Sequence, residues 1–133
     1  MRDTDDRQRR VVSDKRARDA IVPTPAVDSC HALLLWIIPQ LDKMPRQRRF
    51  TLGERLETEL LRVLALLVSA AYRRDRESLL TEANTRLAVC RHLWRLGLEL
   101  RVVPLKSYEY GATQMVGLGR QIGGWLKSAK RAP

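Results

Sequence analysis

Residues 51–74 read TLGERLETELLRVLALLVSAAYRR. Leu52, Leu56, Leu60, Val63, Leu67 and Ala70 recur there at three- and four-residue intervals, which places them on one side of a 3.6-residue helix. Thr51 and Glu54 have the S/T-x-x-E spacing of a capping box, so the pattern predicts a helix that opens at Thr51 and runs to about Arg74. No period-2 alternation of useful length competes with it here or elsewhere in the chain. The class is therefore all-α.

Three more helices follow from the flanking sequence. A segment over about 28–43 opens with Asp28 or Ser29 as N-cap and should kink at Pro39. A third covers about 76–101, with an apolar stripe of Ala83, Leu87, Cys90, Trp94 and Leu98, and stops ahead of Pro104. The fourth covers about 105–129, with Tyr108, Ala112, Met115, Ile122 and Leu126 on its core side. Connections this short force neighbours to lie antiparallel. The expected architecture is an antiparallel up-down four-helix bundle over 28–133, preceded by a flexible charged tail over 1–27 that ends in a PTP turn at 23–25.

The 133 residues suffice for one domain with a proper core. Their net charge of +10 points to an anionic partner, and its distribution says which part carries it. Residues 1–29 hold seven Lys/Arg against six Asp, whereas residues 30–133 hold 18 Lys/Arg against nine Asp/Glu. The folded part is the basic part. No apolar run approaches the ~18 residues of a membrane span, and the charge-alternating N-terminus lacks the apolar stretch of a signal peptide. With only two cysteines, Cys30 and Cys90, the expected setting is a reducing cytoplasm.

Catalysis finds no support. His31 and His92 each neighbour a cysteine, but at 100° per residue Cys90 and His92 point about 160° apart, which does not suit a shared metal ion. No cofactor, metal or small-molecule substrate is expected. Several acids have ordinary helical partners: Glu82 with Arg86, Arg95 with Glu99, Glu59 with Arg62.

The surplus arginines carry the signal. Arg46, Arg48 and Arg49 lie just ahead of the predicted Thr51 helix start, where the dipole disfavours each by roughly a few tenths of a kcal/mol. A phosphate on the free N–H groups there would reverse that cost. Arg55, Arg62 and Arg73 share one face of the second helix, and Arg74, Arg91, Arg120 and Lys127 complete the candidate surface for nucleic acid or a polymerase. On the third helix Val89, Leu93, Leu96 and Leu100 form a second apolar stripe, about 130° from the first. Together with Leu118 and Trp125 they form a candidate subunit interface. Five glycines between 111 and 124 each cost roughly 1 kcal/mol against Ala in a helix, which suggests a close backbone approach or a local break.

The segments PRQRRFTLGER at 45–55, Tyr108-Glu109, and GRQIGGWLK at 119–127 are the most specific parts of a wider resemblance over about 28–130. The chain resembles the accessory variability determinant proteins of diversity-generating retroelements, grouped with the four-helix proteins named for intervening sequences in 23S ribosomal RNA genes. The resemblance implies a four-helix protomer in a basic, homopentameric ring without enzymatic activity. It also implies binding of the element's reverse transcriptase and of RNA or single-stranded DNA during mutagenic retrohoming. Arg49, Arg55 and Arg120 match basic positions of the family motifs. A protein-only scaffold, or a generic RNA-binding member of the intervening-sequence family, are the alternatives.

Overall fold

A computed structural model describes residues 24–131. Four long helices, α1 (Pro25–Leu41), α2 (Glu54–Tyr72), α3 (Glu77–Glu99) and α4 (Leu105–Arg131), form a bundle with no strand among the described residues. Each helix packs on two others, α1 on α2, α2 on α3, α3 on α4 and α4 back on α1. The charged tail expected over 1–27 lies mostly outside the described residues.

α1 begins earlier than the polar residues suggest. Pro25 stands at its first position and Thr24 precedes it in extended conformation. Proline is suited to that place because its φ is already helical and it has no N–H to satisfy. The PTP element is thus a helix start at its second proline, and Asp28 sits in the first turn, where the dipole favours an anion. Pro39 lies inside α1, which continues beyond it to Leu41.

The start of the second helix also moves back. Pro45 accepts hydrogen bonds from the N–H groups of both Arg48 and Arg49 (2.8 Å each) and opens a short turn, Arg46–Arg48. A five-residue π turn, Arg49–Gly53, carries it into α2. Thr51 does not cap: its Oγ1 donates to the Gln47 carbonyl at 2.9 Å, one helical turn back. A hydroxyl satisfied this way belongs to a helix interior, so the expected capping box with Glu54 is absent.

α3 closes in a Schellman arrangement. The Val102 N–H reaches the Gly97 carbonyl (2.9 Å) and the Arg101 N–H that of Leu98 (2.9 Å). Arg101 takes the left-handed position at φ 62°, which glycine normally occupies. Gly97 is required nearby, since a Cβ there would lie 2.7 Å from Val103 Cγ2.

The stripes read from the sequence meet in the core. Leu56, Leu60, Val63 and Leu67 of α2 face Leu87, Cys90 and Trp94 of α3, with Ile37 of α1 and Met115 and Ile122 of α4 closing the layer. Each such large side chain contributes roughly 1.5–3 kcal/mol by leaving water. Trp94 is the largest wholly buried side chain, and its indole N–H donates to the Tyr108 carbonyl at 3.0 Å. The α4 glycines do not mark a backbone approach. Gly111 instead makes room for the Trp94 indole, while Gly117, Gly123 and Gly124 face open space.

Candidate nucleic-acid interface

Ion pairing sorts the predicted cations into two groups. In the first, Arg49 is half-buried, with Nε donating to Asp42 at 3.0 Å and Nη2 to Glu57 at 3.3 Å. Its guanidinium ties the α1–α2 connection to α2, and its charge is already balanced. Arg55 donates to Glu59 at 3.1 Å, and Arg62 Nε lies 3.7 Å from Glu82. Glu59 is the one charged side chain buried among the described residues, and it also accepts from Arg86 of α3 at 3.1 Å. Arg86 reaches Glu82 as well, at 2.8 Å. Those two carboxylates, Glu82 first, hold the Arg86 guanidinium above its ordinary range.

This network corrects one expected pair. Glu59 serves Arg55 and Arg86, not Arg62, because its buried oxygens face α3 across the helix interface. The Glu82–Arg86 and Arg95–Glu99 pairs form as read.

The second group is exposed and makes no ion pair among the described residues: Arg46, Arg48, Arg73, Arg74, Arg91, Arg120 and Lys127. Arg46 lies over the ring of Phe50, 5.8 Å from its centroid. At the α2–α3 connection the neighbouring Arg76 lies over the Trp125 ring at 5.9 Å, so Arg73 and Arg74 share an end of the bundle with the last turns of α4. At the opposite end Lys43, Arg101 and Lys106 join Arg46 and Arg48, also exposed and unpaired among the described residues. Sequence reasoning passed over these three. Only the meeting of two connections, distant in sequence, makes them neighbours.

The apolar candidates divide as well. Val89 and Leu96 of α3 and Leu100 just beyond it are 41%, 47% and 49% exposed. Leu93 and Trp125 are partly buried against the core. Leu118 is buried in the protomer's own core at 1% exposure and leaves the interface set. Its place three residues after Met115 and four before Ile122 puts it on their face, a signal already present in the spacing. Leu35, Tyr72 and Tyr110 are exposed apolar residues that the spacing did not single out.

Among the described residues no group of three or more His, Cys, Asp or Glu side chains could hold a metal ion. Burial pushes the Cys30 and Cys90 thiols up to about 12, so both are protonated and poorly nucleophilic. No helix among the described residues is long and apolar enough to cross a membrane.

Residues 26–129, nearly the whole bundle, match the bAvd-like family. The chain belongs to that family. An Avd-like chain is an accessory protein in kind, and the match covers the unpaired cations at both bundle ends. No curated protein and no solved structure matches it.

Proposed function

We propose that this chain is the non-catalytic accessory protein of a diversity-generating retroelement reverse transcriptase. Its protomers close into a basic homopentameric ring that holds the reverse transcriptase together with RNA or cDNA during mutagenic retrohoming in the cytoplasm. The family match over residues 26–129 carries this reading. The unpaired cations supply the physical means, since a surface without balancing acids gains by meeting a polyanion. Val89, Leu96 and Leu100, with Leu61 and Val68 of α2, offer apolar surface for ring contacts. An up-down antiparallel path and kinship with the intervening-sequence proteins belong to the same reading.

Three measurements test it. Binding of a single-stranded RNA by the full chain should weaken by about 0.7 log units per phosphate contacted for each decade of salt. Light scattering should give a mass several times that of the 15.3 kDa chain. A nuclease-treated pull-down should retain the reverse transcriptase. RNA affinity indifferent to salt would refute the electrostatic contact, and no RNA binding beside retained polymerase would leave a protein-only scaffold.

A further inference from the structure

The end of the bundle where the α1–α2 and α3–α4 connections meet holds a cleft of about 530 Å³. That volume lies within the usual range for sites that enclose a small ligand. Buried Trp94 and Val103 form its floor, and the apolar walls come from Pro45, Leu98, Val102 and Leu105. Gln40 and Ser107 add an amide and a hydroxyl, and Lys43 and Arg101 add two cations. No carboxylate lines it. The nearest acids in sequence are engaged, Asp42 by Arg49 and Glu99 by Arg95.

Arg101 is the informative member. It occupies a left-handed position that glycine would fill without steric cost, and it lines the cleft from there. The negative end of the α3 dipole favours a cation there, which offsets part of that steric cost. A ligand that meets the charge offsets more.

We propose that this cleft seats one nucleotide of a single-stranded nucleic acid, the phosphates on its two sides met one by Lys43 and one by Arg101 and its base laid against the aliphatic walls. The Gln40 amide can both donate and accept, so it suits base edges without dictating one base. The cations continue beyond the cleft: Arg46 directly follows Pro45, and Lys106 directly follows Leu105. A repeating phosphate chain meets such a series in turn, whereas a lone carboxylate of a peptide meets one member. This inference rests on the nucleic-acid reading above and locates it.

The test uses the full chain, wild type and the double variant Lys43→Gln/Arg101→Gly, with a fluorescein-labelled single-stranded RNA carrying 4-thiouridine. At two phosphate contacts and 0.7 each, the variant's log–log salt slope should be shallower by about 1.4, and its affinity at ~0.15 M salt lower by ~14-fold. Light-induced crosslinks should fall on the peptides carrying Leu98 to Leu105. The variant's melting temperature should match or exceed wild type, since glycine relieves the left-handed position, which separates lost binding from lost folding. Should the double variant misfold, Lys43→Gln alone should still lower the slope by about 0.7. Equal slopes in a wild type that does bind RNA, or crosslinks only elsewhere, overturn the cleft and leave the function standing. A wild type that binds no RNA overturns both. Retained RNA affinity with loss of the reverse transcriptase from a nuclease-treated pull-down makes the cleft a peptide groove and ends the proposal.

Discussion

Gly111 and Gly124 lie on the same helix, and alanine at the two should act with opposite sign. A Cβ on Gly111 would stand 2.7 Å from Trp94 Nε1 and 2.8 Å from Cε2, where 3.5–4.0 Å is comfortable for carbon. The indole cannot retreat freely. It is buried at 1% exposure, and its N–H is fixed to the Tyr108 carbonyl, three residues before Gly111 on the same helix. Overpacking costs about 1–3 kcal/mol, and a stretched indole hydrogen bond about 1 kcal/mol more. Against this, Gly→Ala inside a helix gains about 1 kcal/mol. Gly111→Ala should therefore lose ~1–3 kcal/mol. Gly124 has no atom within 4 Å of its would-be Cβ, so Gly124→Ala keeps only the gain. A gap of at least ~2 kcal/mol corresponds to roughly 6–10 °C between the two melting temperatures in a chain of this size. Thermal unfolding followed by circular dichroism reads both. A Gly111→Ala chain that melts at or above Gly124→Ala would refute the assignment of Gly111 to the indole contact.

Three further outcomes follow from the core. Leu118→Ala should cost ~2–5 kcal/mol in denaturant unfolding, and scattering should show no selective loss of assembly, since Leu118 is interior to the protomer. Glu59→Ala should cost about 1–2 kcal/mol, not the 3–5 kcal/mol of a wholly buried pair, because Arg55 and Arg86 can turn to water once released. The thiols give a pH dependence. Cys30 and Cys90 keep their protons to about 12 in the folded chain against an ordinary 9.0. The unfolded chain therefore binds fewer protons above pH ~9, so this contribution is whole below that pH and declines as pH rises towards the folded value. Denaturation midpoints should fall more steeply between pH 8.5 and 10.5 in wild type than in Cys30→Ala/Cys90→Ala.

The fold was legible because apolar spacing is a local signal. The stripes needed nothing beyond the helical repeat: Leu56 to Ala70, Ala83 to Trp94, Met115 and Ile122 are buried, while their outer members Leu52, Leu98, Tyr108, Ala112 and Leu126 are half-buried. Boundaries were less legible because proline acts two ways. Pro25 and Pro45 read as breakers, yet each opens a helix. The charge was countable, but its pairing was not. Arg49 and Arg48 are adjacent in sequence, and only the path of the chain puts Asp42 and Glu57 beside one of them. The cleft was invisible for the same reason, since Lys43 and Arg101 meet through folding alone.

The π turn at Arg49–Gly53 has one more consequence. A widened turn holds one residue more than α geometry needs, so loss of a single codon inside it would let the segment tighten. The wide turn absorbs the surplus residue, so the helical phase on either side would be kept and Leu56 and its successors would hold their seats. The extra residue is one the interior does not need. This end of the bundle can gain or lose it without re-aiming Arg46 and Arg48 or reopening the core.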